Sequence, residues 1–235
     1  MIYIGIDDTD NLNSRGTGHR ARKLAGLLKR YGYDVYGVTR HQFLVSPLIP
    51  YTSHNSGACV HVKAEKKEIG YITTLAREFM VENFVEDSDP GLCVAHDSEI
   101  TSEVVNFGFR AKVEVLSKEE AYSLAKSFKI HLEELGGSGL GIIGALSSVG
   151  LAYLGNDGRF IELGRTRDLK GIVSVKDILD SGVYRVVSTE GQVLKECEYV
   201  ETTGWVRPVM VAGKPYLIVE RKNGRWEVVG KTFSL

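Results

Sequence analysis

Residues 5–10 read Gly-Ile-Asp-Asp-Thr-Asp and follow a short apolar run, Met1 to Ile4. Such a run reads as a buried first strand. Asp7, Asp8 and Asp10 therefore crowd the end of a strand. Like charges that close raise each other's pKa unless a cation or hydrogen-bond donors sit among them. Mg²⁺ is a hard cation usually held by one or two carboxylates plus phosphate oxygens, so these three aspartates are the candidate metal ligands. The next segment, Asn11 to His19, is a polar loop with Arg15-Gly16 inside it. It leads into a helix whose first turns carry Arg20, Arg22 and Lys23. Acid on a strand end, a glycine-bearing loop and a basic helix start can together hold a metal and a phosphate. The same pattern also describes an Asp-rich turn and a helix cap.

The length of 235 residues fits one large domain or a domain of about 150 residues with a smaller companion. Hydrophobic residues make up 43% and charged residues 25%, which is ordinary for a soluble globular protein. No apolar run approaches the roughly 20 residues of a membrane span. The first 30 residues begin with a strand and not with a charged leader and apolar h-region, so no secretory signal is read. Cys59, Cys93 and Cys197 are widely spaced and contain no CxxC pair, which argues against a zinc ribbon and for a reducing cytoplasm. The net charge of −1 gives no general support for nucleic-acid binding. Locally, Arg15 to Arg30 holds six basic residues and no acid; a solvated helix face explains many such runs.

The periodicity predicts a helix over 19–31, strands over Tyr33–Thr39, Gln42–Val45 and Ala58–Val62, and a helix over Ile69–Phe84. Asp89-Pro90-Gly91 is a turn. Leu92–Ala95 reads as a buried strand, residues 98–107 as a helix and Lys112–Leu116 as a strand. Ser117 with Glu120 forms a capping box for a helix expected to run to Leu135 and stop at Gly136-Gly137. Leu140–Val149 reads as a buried helix. After about residue 155 the pattern changes to short alternating runs: Gly158–Leu163, Val183–Ser188, Trp205–Val211, Tyr216–Glu220 and Trp226–Val229. A short helix lies near Val175–Leu179. Asn223-Gly224 between two alternating runs signals a hairpin. The expected fold class is α/β (α+β), with a mixed-sheet domain over 1–155 and a smaller β-rich part over 156–235.

Two further elements bear on chemistry. Gly136 to Gly144 contains a literal G-x-G-x-x-G, at Gly139, Gly141 and Gly144. A dinucleotide fold needs that motif directly after a strand, and here it follows an expected helix. Gly137, Ser138 and Gly139 then remain as backbone donors of an anion cradle, or as a close-packed turn. Ile49 to Gly57 combines a rigid proline, Tyr51, His54 and Asn55; such a loop can stack a base, although loops of this composition are common.

In this order, Gly5 to Asp10 with Arg15-Gly16, Ile49-Pro-Tyr51 with Asn55 and Gly57, Asp89-Pro-Gly91, and Gly139 to Leu146 resemble the archaeal tRNA agmatinylcytidine synthetases. The resemblance covers roughly residues 1–155. It implies the kinase-like, ATP-dependent domain that phosphorylates an anticodon cytidine so that agmatine can displace the phosphate. It implies ATP and Mg²⁺ as cofactors, with the Asp-rich strand end serving metal and phosphates. Three departures stand out. The family carries a phosphoryl-accepting threonine three places after the Arg-Gly pair; here that position is His19, with Thr17 two residues earlier. Neither the family's OB-fold nor its zinc ribbon is read in residues 156–235. Those residues also do not match its agmatine-binding segment.

The sequence thus leads to a cytoplasmic, Mg²⁺- and ATP-dependent phosphoryl-transfer enzyme, acting on tRNA or a small-molecule acceptor and not at a membrane. Asp8, His19 and Thr17 are its candidate catalytic residues. Arg15, Gly16, Arg20, Tyr51, Asn55, Gly137, Ser138 and Gly139 are its candidate nucleotide contacts. Two alternatives are a nucleotide-binding sensor or complex subunit without catalysis, and an RNA-binding protein that uses the Arg15–Arg30 run without nucleotide.

Overall fold

A computed structural model describes residues 1–11, 14–49, 55–202 and 204–229. The protein is α/β, packed as two compact units, Met1–Leu154 and Gly155–Leu235. The first unit runs β1 (Ile2–Asp7), α1 (Thr17–Arg30), β2 (Asp34–Gln42), β3 (Ser56–Lys63), α2 (Ile69–Asn83), β4 (Gly91–His96), α3 (Ser102–Arg110), α4 (Lys118–Phe128), β5 (His131–Glu134) and α5 (Gly141–Leu154). Its sheet order is β5-β4-β1-β3-β2, and each of these neighbours is antiparallel. β1 is therefore central, with Asp7 at its carboxyl end.

Alternation along β1 explains the layers. Ile2, Ile4 and Ile6 are fully buried and point to one face of the sheet, as a period of two requires. Tyr3, Gly5 and Asp7 point to the other face, where α5 lies. α5 is apolar nearly all round and is buried from Gly141 to Ala152 except at Ile143, as expected for a central helix. It can approach β1 because Gly5 has no side chain: a Cβ there would overlap the Ala145 carbonyl. α3 and α4 pack on α5 and complete this core with Val104, Phe107, Ala121, Leu146 and Val149. α1 packs against β2 and β3 and α2 against β4, and the two helices touch each other. α1 buries Thr17, Ala21, Leu24, Ala25 and Leu28, the stripe that a 3.6-residue period places on one side.

The second unit runs β6 (Arg159–Glu162), β7 (Gly171–Ser174), α6 (Val175–Asp180), β8 (Arg185–Ser188), β9 (Tyr199–Thr202), β10 (Val209–Val211), β11 (Lys214–Lys222) and β12 (Arg225–Val228). Its order is β6-β10-β11-β12-β9-β7, with β8 beside β11. The parallel pairs β8–β11 and β9–β12 make it mixed. Val175, Ile178, Val186, Val200, Leu217 and Val219 form its core. The Asn223-Gly224 hairpin is present: both residues have positive φ between the Lys222–Arg225 pair, as a two-residue primed turn demands. No helix among the described residues is long and apolar enough to cross a membrane.

Five expectations are corrected. Tyr33–Thr39 and Gln42–Val45 are not two strands; one strand, β2, spans the first and reaches only Gln42, with an irregularity between Val35 and Gly37. Residues 98–107 split into a 3₁₀ turn at Asp97–Glu99 and α3. Lys112–Leu116 is no strand: the Lys112 and Val113 amides bond back to Phe109 and Arg110 carbonyls, and Val113 and Val115 are 71% and 51% exposed. The helix expected to reach Leu135 ends at Phe128, because Lys129 takes the left-handed conformation (φ 59°) and His131–Glu134 join the edge of β4. Trp205–Val211 contracts to Val209–Val211.

Candidate functional site

The site is built where β1 ends. Asp7 still pairs with Gly91 of β4. Asp8 then turns the chain with φ +49°, a region that Asp tolerates better than most residues. Consecutive residues of a strand point to opposite faces, and the left-handed residue breaks that alternation directly after the ladder. Asp7 reaches toward α5: a Cβ on Gly144 would overlap its Oδ2. Asp10 turns toward α1. Its Oδ1 accepts from both the Thr17 amide and the Thr17 hydroxyl at 2.8 Å, capping the first turn of a helix whose N-cap, Gly16, has no side chain to do so.

The Gly-rich segment meets this strand end from the α5 side. Gly137 and Gly139 have positive φ and let the loop turn into α5. Gly141 and Gly144 serve close packing: a Cβ on Gly141 would overlap the Asp89 carbonyl, and one on Gly144 would overlap Asp7. The Ser138 amide donates to Asp89 Oδ1, and the Ser138 hydroxyl donates to Asp89 Oδ2 at 2.7 Å. A loop expected to receive an anion thus holds a carboxylate of the Asp89-Pro90-Gly91 turn. Lys118 ties the loop from outside, donating to the Ser138 carbonyl at 2.6 Å and to Glu134 at 2.8 Å. The strand β5, unforeseen in the sequence, supplies Glu134.

Charge in the site is dominated by acid. Burial, then the negative Asp8 and Asp10, push Asp7 up to about 8, against a backbone hydrogen bond and Arg40 that favour its charged form. Burial, then Asp89 and Asp10, push Asp8 up to about 6. The basic counterweights are Arg20, whose Nε donates to the Thr9 carbonyl at 2.7 Å, and Arg40 of β2, whose Nε donates to Ser56 Oγ at 2.9 Å. Arg40 and Asp89 were missed as site residues in the sequence. The signal for Arg40 was an arginine inside an otherwise β-type run, Val35 to Gln42; that for Asp89 was the turn itself.

The other predicted residues fall as follows. Thr17 is buried, and Thr9 Oγ1 donates toward its hydroxyl at 3.2 Å, so it closes the loop onto the helix. His19 sits in the first turn of α1 with Arg22 Nη2 at 3.3 Å from its Nδ1. Burial first, then Arg22, Arg15, Lys23 and Arg20, hold its pKa below the ordinary value. An arginine only donates, so that contact places the neutral ring's proton on Nε2. Arg15 and Gly16 are exposed beside it. Asn55 Nδ2 donates to the Leu44 carbonyl at 2.7 Å and the Asn55 carbonyl accepts from Phe43, which straps the end of β2. Tyr51 and His54 lie outside the described residues. Among the described residues no three His, Cys, Asp or Glu side chains converge as a ready-made metal site. What the geometry offers is an acidic strand end with one or two available carboxylates, beside a basic helix start.

The fold and this strand end define an α/β protein with an acidic site at a junction of one strand and two helix starts. No family model matches the chain. Similarity to individual proteins is specific. The chain is 30% identical over 159 residues, 64% of its length, to tRNA(Ile2) 2-agmatinylcytidine synthetase TiaS of Pyrococcus horikoshii. It is 28% identical over 63% of its length to the TiaS of Methanocaldococcus jannaschii. These matches span 35% and 37% of the two relatives, so the chain covers about a third of their length. Among solved structures, the TiaS–tRNA(Ile2)–ATP complex matches 63% of this chain and 36% of that one, with 26% identity and a TM-score of 0.55. The TiaS–tRNA(Ile2)–AMPCPP–agmatine complex matches the same share with 27% identity and a TM-score of 0.53. The resemblance read from the motifs is therefore borne out as homology to TiaS over 63% of the chain.

Proposed function

We propose that the first unit is an ATP- and Mg²⁺-dependent phosphoryl-transfer domain related to the cytidine-activating domain of TiaS, acting on tRNA or another acceptor in the cytoplasm. The observation that carries this reading is the set of half-buried, mutually repelling carboxylates at the end of β1, beside the basic start of α1. Like charges held this close are stable when a divalent cation lies among them, and the TiaS structures hold ATP or AMPCPP with tRNA. In this reading Asp7 and Asp8 hold Mg²⁺, and Asp10 orders the loop through Thr17. Bound Mg²⁺ would neutralise phosphate charge. Arg15, His19 and Arg20 meet phosphate oxygens, and Tyr51 and Asn55 border the base or acceptor. The Ser138 donors reach an external phosphate when Asp89 gives way. Phosphoryl transfer relies mainly on positioning and charge neutralisation, which this residue set supplies.

A second reading, nucleotide binding without turnover, is favoured by one observation. Both residues near the family's acceptor position are engaged, Thr17 by Asp10 and His19 by Arg22. Calorimetric titration with ATP, with and without Mg²⁺, tests the reading common to both: wild type binds with Mg²⁺, and Asp8→Asn binds at least tenfold more weakly. Equal affinity in the two proteins would remove the metal site from the proposal.

A further inference from the structure

We propose that the outward face of α1, with the Tyr31–Tyr71 pair at its end, is a binding surface for the phosphate backbone of RNA. The inference rests on the reading of this protein as a relative of a tRNA-modifying enzyme and assigns the surface that the RNA would meet.

The geometry comes from the helical period. Residues opposite the buried stripe of Thr17, Ala21, Leu24 and Leu28 are His19, Arg22, Lys23, Gly26, Lys29 and Arg30, by 100° per residue. Four of these six carry permanent positive charge, and the whole stretch from Arg15 to Tyr33 contains no acid. At 1.5 Å per residue the stripe from His19 to Arg30 is about 16 Å long. Lys23, Lys29 and Arg30 are exposed. A Cβ at Gly26 would meet nothing within 4 Å, so the middle of the stripe is open.

Among the described residues, two acids that follow the helix in sequence are taken by other cations: Asp34 pairs with Lys63 at 3.0 Å and Glu65 with Lys67 at 2.8 Å. Helix stability does not account for the stripe either. Cations at a helix C-terminus complement the macrodipole, which would explain Lys29 and Arg30. Arg22 and Lys23 lie in the half nearer the N-terminus, where the dipole disfavours them, and the first turn carries no acid.

The aromatic pair is an independent observation. Tyr31, the C-cap of α1, and Tyr71 of α2 meet edge to face with centroids 6.4 Å apart, yet each is 54% exposed. Large rings left half in water at the end of a basic stripe are the combination that binds single-stranded nucleic acid, by backbone attraction and base stacking.

The test is binding of unfractionated tRNA by fluorescence anisotropy across a salt series, without ATP. Variants are Lys23→Gln/Lys29→Gln/Arg30→Gln and Tyr31→Ser/Tyr71→Ser. With about −0.7 in log K per log salt for each phosphate neutralised, the triple variant should reduce the salt slope by about 2. Its affinity at the lower salts should fall at least tenfold, and the tyrosine variant should bind several-fold more weakly at unchanged slope. ATP binding by the same proteins is measured in parallel, so failure of the nucleotide reading shows there and leaves the RNA result intact. An unchanged salt slope in the triple variant would overturn the surface. So would binding of wild type to phosphatidylserine vesicles but not to tRNA. Thermal unfolding of both variants distinguishes lost binding from lost fold.

Discussion

The Asp7 carboxylate occupies the space that a Cβ on Gly144 would need. One residue closes β1 and the other lies in the first turn of α5, so the site and the helix packing share a single point. Gly144→Ala must either move α5 away from the sheet or push Asp7 out of position. We expect a loss of about 1–3 kcal/mol of stability, in the range for overpacking a core, together with loss of Mg²⁺-dependent ATP binding. Urea unfolding and calorimetry on the same protein check both.

Asp7→Asn separates stability from function. A carboxyl whose folded pKa is raised to about 8 from an ordinary 3.8 binds its proton more tightly in the folded state. Stability is then greatest at low pH and falls as pH rises between those values. Without metal, Asp7→Asn should unfold at a higher temperature than wild type at pH 8 and should show a flatter pH dependence. Mg²⁺ with ATP should raise the wild-type midpoint and leave the variant's unmoved.

The strands behind the site carry a different titration. Thr39 Oγ1 lies 2.8 Å from Nε2 of both His41 and His61. A hydroxyl donates one proton and accepts others, so one ring accepts at Nε2 and the other donates. Burial, then His41, hold His61 down at about 3. A depressed histidine pKa means that the unfolded chain binds the extra proton first. The stability it contributes is present above 6.5 and is lost as pH falls toward 3. His61→Gln should therefore show a shallower acid limb than wild type, by up to about 1.4 kcal/mol per pH unit, in urea titrations from pH 7 to 4.

The sequence made the first strand, its acidic end, α1, the Ser117 cap and the Asn223-Gly224 turn legible, because each follows from a local rule. The Gly139-x-Gly141-x-x-Gly144 pattern was legible as a special loop, and its close packing is seen, whereas a cradle for an external anion belongs to the proposal. Gly141 and Gly144 serve close packing, and Ser138 holds a carboxylate. Arg40 and Asp89 were not legible as site residues, because nothing local says that β2 and the β4 turn arrive at the end of β1. β5 was hidden for the same reason: the edge of β4 recruits residues whose spacing continued a helix.

Lys129 marks that boundary. It adopts φ 59°, ψ 31° as the C-cap of α4, a conformation that costs a non-glycine residue about 1–2 kcal/mol. Lys129→Gly should stabilise the protein by about 0.5–1 kcal/mol, after the greater freedom of glycine in the unfolded chain is subtracted. A lower unfolding midpoint in urea would mean that the lysine side chain does more than tolerate the turn.

The most direct measurement is incubation of the purified protein with ATP labelled separately at the α and γ phosphates, with Mg²⁺, bulk tRNA and agmatine, beside Asp8→Asn. Asn tolerates the left-handed backbone that Asp8 adopts, so the variant keeps the turn and loses the charge. Phosphoryl transfer predicts release of ADP, or γ-label on protein or RNA, in wild type and at least a hundredfold less in Asp8→Asn. Intact ATP in every tube, or equal turnover by both proteins, would contradict it.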